Sequence, residues 1–442
     1  MRALLKPGGR MGVIVPTGIA TDDTNKHFFA EVVDRGELVC LFDFENRKGL
    51  FPAVHRSYKF CLFVLRKGDG SPRGAPAEFA FFLHEPNDLS DPERRFTLTP
   101  EDFRLLNPNT KTAPIFRSRK DAELTKHIYR RVPVLIDEAK GEEGNPWGVE
   151  FRQGLFNMAS DSHLFRTRED LEAQGFRLQG NVFVKDAERY LPLYEAKMAH
   201  QFNHRFGDYA MRPSGSESTQ LPEVPLERLA DPHYQVLPRY WVLEAEVEER
   251  LRAKGWDRGW LLGWRDIARA TDERTVIAAV IPRVGVGHKF LLMFPGNSKV
   301  ASELLGVIDA FCFDYVARQK LGGTSVGYFT MKQLPVLPPS AFEKPLPFPW
   351  EGEPSPLPPR SKPPTIADFV RPRVLELTYT AWDLKPFAED LGYHGPPFPY
   401  DPERRFWLRA ELDALFFLLY LGSPGEWRKE ASPELRSLFP TP

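Results

Sequence analysis

The chain has 442 residues, room for about three domains at roughly 150 residues each and for cores that need no disulfide staples. Its 59 Lys and Arg stand against 60 Asp and Glu, so a net charge of -1 gives no bulk attraction for polyanions, and any nucleic-acid surface has to be a local patch. Cys40, Cys61 and Cys312 form no CxxC pair and leave one over in any disulfide scheme, which excludes a secreted disulfide scaffold and leads to the expectation of a reducing, cytoplasmic location.

Residues 2–5 supply barely one helical turn before Lys6-Pro7-Gly8-Gly9, a helix stop, so the chain reads as if it opened at the end of something longer. The same Pro and Gly residues lead to the expectation that this start is no signal peptide, and no run of 18 apolar residues predicts a membrane span. Residues 10–16 predict a short apolar strand, 25–34 a helix with Phe28, Phe29, Val32 and Val33 on one side, and 38–44 and 57–65 two further strands. Strand, helix and strand form a βαβ unit that is apolar on both faces, as buried parallel strands are. Three strands and one helix cannot cover both faces of such a sheet, so other segments complete it or part of the domain is missing.

Residues 78–84 predict another strand, followed by acidic, turn-rich sequence around Asp88 and Asp91, and 121–131 a charged helix that runs into Pro133. From about 147 to 336, short strands, aromatics and glycines alternate without a period, as in a mixed α+β domain. The 42 prolines are roughly twice the usual frequency of about 5%, and they crowd residues 340–364 (Pro-Leu-Pro-Phe-Pro, Pro-Ser-Pro-Leu-Pro-Pro), where an extended connector is expected. Beyond it, 406–420 has helical spacing, with Leu408, Leu412, Leu415 and Leu419 on one face.

Three stretches near the start carry a family pattern. They are Leu4-Leu5-Lys6-Pro7-Gly8-Gly9-Arg10-Met11-Gly12-Val13-Ile14-Val15-Pro16, Phe42-Asp43-Phe44-Glu45-Asn46, and Leu50-Phe51-Pro52-Ala53-Val54-His55-Arg56-Ser57-Tyr58-Lys59-Phe60. In order and spacing they resemble the back half of the catalytic domain of adenine-N6 DNA methyltransferases, in the arrangement where the target-recognition domain follows the catalytic one. Residues 190–198 and 201–206 look like the segment that opens the recognition domain in large restriction-modification methyltransferases. Residues 264–269 with Arg274-Thr275, and 317–324 with 334–338, look like its core, and 409–414 with Leu419-Tyr420 like its terminal helix. The fold this resemblance implies is α/β and α+β: a remnant of a Rossmann-like methyltransferase sheet over 1–67, a connecting segment 68–119, a target-recognition, DNA-binding domain 120–339, a Pro-rich linker 340–364 and a helical C-terminal segment 365–442.

By the same resemblance Phe51 stands where these enzymes set an aromatic ring against the flipped-out adenine, returning part of the stacking the base loses on leaving the duplex. The plainer alternative is that Phe51, one of 34 phenylalanines, plugs a sheet edge. The family's two front-half motifs are a Gly-rich turn that holds S-adenosylmethionine and an Asn- or Asp-Pro-Pro-aromatic segment that accepts hydrogen bonds from the adenine amino group. Neither precedes residue 10, and the lookalike Gly395-Pro396-Pro397-Phe398 has no side-chain oxygen to accept those bonds. The resemblance therefore implies S-adenosylmethionine in the complete enzyme only, no catalytic or cofactor-binding residue in this chain, and no methyl transfer by the chain alone. Its implied partners are double-stranded DNA and the missing N-terminal methyltransferase half, in a restriction-modification or phage-defence system.

The middle of the chain has the makings of a DNA face on its residues alone. Arg265, Arg269 and Arg274 fall within ten positions, Lys289 follows Gly285-Val286-Gly287-His288, and Arg318 and Lys320 run into Gly322-Gly323-Thr324. Gly-rich turns let backbone amides approach phosphate, and cations beside them neutralise it or reach base edges. The expected DNA contacts are therefore Arg265, Arg269, Arg274, Lys289, Arg318, Lys320 and Thr324; the alternative is a solvated charged face, the default at 27% charged residues.

Two other constellations compete. His200 and His204 have the spacing of zinc ligands on a helix, but Gln201 occupies the position where a metalloprotease needs a Glu base. Asp186 with Glu195-Ala196-Lys197 has the Asp and Glu-x-Lys pattern with which nucleases hold magnesium, and Asp137-Glu138-Ala139-Lys140 repeats the Glu-x-Lys part by chance. A magnesium-dependent endonuclease and a non-catalytic DNA-specificity subunit are thus the rival functions. An exposed remnant sheet edge predicts poor solubility or association.

Overall fold

The computed structural model describes residues 1–68, 76–213, 215, 218, 220–269, 272–350, 355–357 and 363–439. Its first sheet contains β1 (Arg10–Pro16), β2 (Leu38–Glu45), β3 (Lys59–Arg66), β4 (Ala77–Leu83) and β5 (Phe96–Leu98), in the order β1-β3-β2-β4-β5. The helix Lys26–Asp34 crosses from β1 to β2 and buries Phe29, Val32 and Val33 beneath the sheet. The expected strand-helix-strand unit is present, but its strands are not neighbours: β3 runs between them, antiparallel to both. β4 then lies parallel to β2, and β5 antiparallel to β4.

A boundary at residue 67 does not hold. Phe79, Phe81 and Phe96 of β4 and β5 stack with ring centroids 5.9 to 6.2 Å apart, and Phe79 also meets Phe103 at 5.8 Å, so the segment expected to connect two domains completes the core of the first. On the far side β1 pairs with β3 alone among the described residues. Its residues alternate between half-buried Met11, Val13 and Val15 and exposed Arg10, Gly12, Ile14 and Pro16. Such a strand carries an unpaired row of backbone groups beside apolar side chains, which is an open edge.

The remaining strands are β6 (Glu150–Arg152), β7 (Arg177–Gln179), β8 (Val182–Lys185), β9 (Glu188–Tyr194), β10 (Trp241–Leu243), β11 (Trp260–Arg265), β12 (Ala278–Pro282), β13 (Gly285–Val286) and β14 (Phe290–Phe294). An antiparallel meander, β10-β9-β8-β7, takes β13 in parallel beside β9, and a second antiparallel sheet has the order β12-β11-β14-β6. β11, β12 and β14 read as continuous apolar runs because nearly every residue in them is buried on both faces. The helix Ala301–Ile308, itself wholly buried, packs against β12 and against the helix Ile366–Thr378. The chain is a mixed α+β protein.

The predicted C-terminal helix spans Pro402–Leu421 and buries Leu408, Leu412 and Leu415. Asp401 accepts the N–H groups of Glu403 and Arg404, Pro402 supplies the first turn, and Gly422 ends the helix at φ 88°. It packs against the helices Phe311–Arg318 and Arg119–Arg131, so the chain end returns to its middle. The Pro-rich linker is not a free spacer where it is described: Phe348 and Trp350 each meet Phe369 edge-on at 5.6 Å, and Pro345 bridges to Thr365. Much of its Pro-Ser-Pro-Leu-Pro-Pro motif, at residues 354, 358 and 359, lies outside the described residues. Among the described residues no helix is long and apolar enough to cross a membrane.

One buried cation ties the meander region to the C-terminal helices. The guanidinium of Arg205 donates to the carbonyls of Asp231 (2.8 Å), Tyr234 (3.2 Å), Leu229 (2.9 Å) and Thr380 (3.0 Å). An abandoned buried polar group costs roughly 1–3 kcal/mol. We expect Arg205→Met, which leaves several such carbonyls without a donor, to lower unfolding free energy by at least about 3 kcal/mol in urea titrations; an unchanged midpoint would refute the assignment.

Candidate nucleic-acid interface

β2 and β4 end, and β3 begins, at one margin of the first sheet, and there a cleft of about 900 Å³ opens towards the middle of the chain. Glu45, Arg47, Lys59, Phe82, His84, Arg94 and Arg117 line one side, and Arg269 with Leu321–Thr324 line the other. Glu45 is engaged by Arg47 at 2.6 Å, His84 at 3.4 Å and Lys59 at 3.7 Å, and the Arg47 and Lys59 charges with the hydrogen bonds from Arg47 and His84 hold its carboxyl below the usual range against the opposing effect of burial. Arg94 leans on Asp88 at 3.5 Å and Asp91 at 3.9 Å. Among the described residues Arg117 and Arg269 pair with no carboxylate, so the cleft is a positive patch on a nearly neutral molecule.

The first-sheet wall is shaped by a bulge. Phe42 pairs with Ala80 but Phe44 with Leu83, so Asp43 faces two residues, Phe81 and Phe82, on β4. Phe82 takes the extra position at φ 58°, a left-handed conformation that costs a side chain of this size about 1–3 kcal/mol. Its N–H donates to Asp43 Oδ2 at 3.2 Å, and Thr17 Oγ1 donates to Asp43 Oδ1 at 2.5 Å. Burial nevertheless pushes the Asp43 carboxyl above the ordinary Asp range. The bulge aims the Phe82 ring into the cleft, where Lys59 Nζ stands 4.5 Å and the Arg117 guanidinium 4.1 Å from its centroid.

The opposite wall is held by Lys320. Its ammonium donates to the carbonyl of Leu106, to Asn107 Oδ1 at 2.5 Å and to the carbonyl of Gln333 at 3.0 Å, with the Tyr129 ring at 4.5 Å. Ile115 N–H donates to Gln319 O at 3.0 Å, and Lys59 Nζ reaches Gly322 O at 3.3 Å across the cleft. The Leu321–Thr324 turn is thereby fixed against the first sheet.

Of the expected DNA contacts, the structure brings Arg269 and Thr324 together in the cleft, both exposed, with Ala268 N–H donating to Thr324 O at 3.1 Å. Lys320 is corrected: its three donors are saturated inside the protein, and burial pushes its pKa well down. Arg265 is corrected as well, because Nε (2.8 Å) and Nη2 (2.5 Å) both donate to Ala199 O, with the guanidinium enclosed and pushed down to about 10 by burial. Arg318 binds Asp314 at 2.9 Å and Glu273 O at 2.7 Å, Lys289 binds Asp266 at 2.7 Å, and Arg274 lies over Phe311 at 5.9 Å; none of the three lines the cleft. Phe51 is 39% exposed and meets Phe60 edge-on at 4.9 Å, next to the cleft residue Lys59. Its loop is clasped by buried Asn46, whose Oδ1 accepts Phe51 N–H at 2.9 Å while Nδ2 donates to Phe51 O at 2.9 Å and Val54 O at 2.8 Å. Lys59, Phe82 and Arg117 escaped sequence reasoning, since they come from separate segments and only the bulge joins them.

The competing constellations do not assemble. His200 and His204 lie on no helix: His200 pairs by backbone with Asn203, and His204 Nε2 contacts Asp383 Oδ1 at 2.9 Å. Asp186 sits at the turn before β9 and Glu195 just past its end, separated by roughly 20 Å of extended strand. Glu195 instead accepts the Tyr209 hydroxyl at 2.5 Å, and no metal-holding group of three or more His, Cys, Asp or Glu occurs among the described residues.

Burial, with Arg265, Arg409 and Arg274 nearby, pushes the His200 pKa down to about 4. An unfolded His titrates near 6.5, so between about pH 6.5 and 4 the unfolded chain takes up a proton that the folded chain refuses, and stability falls as pH falls. Urea unfolding of the wild type should lose up to about 1.4 kcal/mol per pH unit more than His200→Gln across that window; parallel curves would disprove it. Lys320→Met should destabilise by about 2–4 kcal/mol, since it strips the donors from Leu106 O, Asn107 and Gln333 O; chemical denaturation checks this, and an unaltered midpoint would contradict the pinning role.

No protein-family model matches the chain, and no curated protein matches it. Among solved structures it overlaps the type IIG restriction endonuclease BpuSI with a TM-score of 0.31 and 12% identity, over 98% of this chain and 48% of that one. It overlaps the type IIL restriction-modification enzyme MmeI, solved in complex with DNA, with a TM-score of 0.39 and 7% identity, over 94% of this chain and 47% of that one. The chain thus spans about half the length of either, and overlaps at these scores establish no shared fold.

Proposed function

We propose that this chain is the DNA-recognition part of an adenine-specific DNA methyltransferase of a restriction-modification or phage-defence system, and that duplex DNA binds along the cleft. The observation that carries the proposal is the cleft itself, where Arg117 on one wall and Arg269 on the other face solvent without a carboxylate partner among the described residues. A wide, locally positive groove neutralises phosphates on both sides of a duplex and releases their counterions. The motif resemblance over 4–16, 42–46 and 50–60 supports the choice of enzyme class, and the loop clasped by Asn46 supports a base-facing role for half-exposed Phe51.

The residues lining the cleft do not fit S-adenosylmethionine. Their cations repel a sulfonium, and in this reading the cofactor would be held by another segment of the complete enzyme. The open edge of β1, with Ile14 exposed on one face and Met11, Val13, Val15 and Phe28 in a groove on the other, supports completion of the sheet by another polypeptide segment.

The test is selection from a random duplex library by the purified chain, with washes at two salt concentrations. Phosphate contacts weaken steeply with salt whereas base contacts preserve the choice of site. We expect an enriched short motif containing adenine that survives the higher salt. Binding with no motif, or no binding by folded protein, would overturn the proposal.

A further inference from the structure

Phe82 is held at an unfavourable backbone angle by a bulge, and the result is a ring projecting into a cleft beside two cations, Lys59 and Arg117. An aromatic face attracts an ammonium or guanidinium through its quadrupole without neutralising its charge. A carboxylate in the same place would position the cations equally well but would compete with any anionic ligand. Among the described residues Glu45 is the one carboxylate lining the cleft, 3.7 Å from Lys59 and closer, at 2.6 Å, to Arg47. Beside Lys59, whose Nζ reaches Gly322 O at 3.3 Å, runs the exposed Gly322-Gly323 turn; a Cβ on Gly323 would meet nothing within 4 Å, so the backbone there is open to a ligand. The lining cations come from five separate segments rather than converging on one point, an arrangement suited to anions repeated along a chain.

We propose that Lys59, Arg117 and the Gly322-Gly323 turn form a seat for a phosphodiester group, and that Phe82 is its positioning residue, holding Arg117, which pairs with no carboxylate among the described residues, beside Lys59. The seat deepens the DNA reading of the cleft and rests on it for the polymer to which the phosphate belongs. Phe82 touches no reacting atom; it acts through the cations on its ring.

The experiment measures the affinity of a 30-base-pair duplex over a series of salt concentrations for the wild type, Arg117→Gln, Phe82→Leu and the double variant, with circular dichroism to verify folding. Loss of one phosphate contact lowers the slope of log affinity against log salt by about 0.9. Arg117→Gln should show that loss, Phe82→Leu should lower the slope in the same direction although it removes no charge, and the loss in the double variant should fall short of the sum of the two single losses, the mark of coupled residues. Independent, additive losses or an unchanged slope would overturn the proposal. Phe82→Tyr, which keeps the ring, should restore the wild-type slope. A slope loss on DNA bound without sequence preference would sink the recognition function while leaving the seat standing. Where wild-type protein binds no duplex, calorimetry with inorganic pyrophosphate decides: binding lost in Arg117→Gln sustains the seat, and no binding overturns it.

Discussion

The position of the cleft depends on one enclosed ammonium. Lys320 holds Leu106 and Asn107, at the end of the first sheet's core, to Gln333 beyond the Leu321–Thr324 turn, and all three of its donors are occupied. Removing an ammonium from water is costly unless each of its protons finds an acceptor, so the site tolerates little displacement of any partner. Because the turn is pinned in this way, Gly322 comes within reach of Lys59, and Arg269 with Thr324 faces Arg117 across the cleft.

Buried cations recur as the joints of the fold. Arg205 gathers four backbone carbonyls from two regions, Arg265 closes on Ala199 O, and Arg405 donates to Leu377 O at 2.5 Å and Phe202 O at 3.3 Å. Each satisfies carbonyls in irregular segments or in the last turn of a helix, which lack strand or helix partners and are otherwise expensive to bury. The same residue type therefore has two uses here. Inside it saturates carbonyls; along the cleft, at Arg117 and Arg269, it faces solvent and pairs with no carboxylate among the described residues.

This double use explains which parts of the site could be read in advance. Arg269 and Thr324 were legible, since a cation near a Gly-rich turn is a phosphate-binding pattern and both residues reach the cleft. Arg265 and Lys320 carry the same local pattern, yet their donors turn inward, and nothing in residue spacing separates an arginine that meets solvent from one that meets a carbonyl. Phe82 and Arg117 were illegible because a bulge is a relation between two strands, and β2 and β4 are more than thirty positions apart. The decoys failed for a related reason: His200 and His204 have ligand spacing only on a helix, and the backbone there is not helical.

By itself the sequence determined the elements with strong periodicity or clear punctuation: the first three strands, the helix between the first two, and the body of the C-terminal helix over 406–420. It also determined that a neutral chain concentrates any positive surface locally. Only the tertiary structure decided that β3 lies between β1 and β2, that β4 and β5 belong to the first sheet, and which cations line the cleft. Apolar alternation states that a strand is buried but not beside which strand, and a charged residue type states what it can bind but not which way it faces. Both are settled by long-range packing, where the desolvation of each buried donor and acceptor has to be balanced by a specific partner.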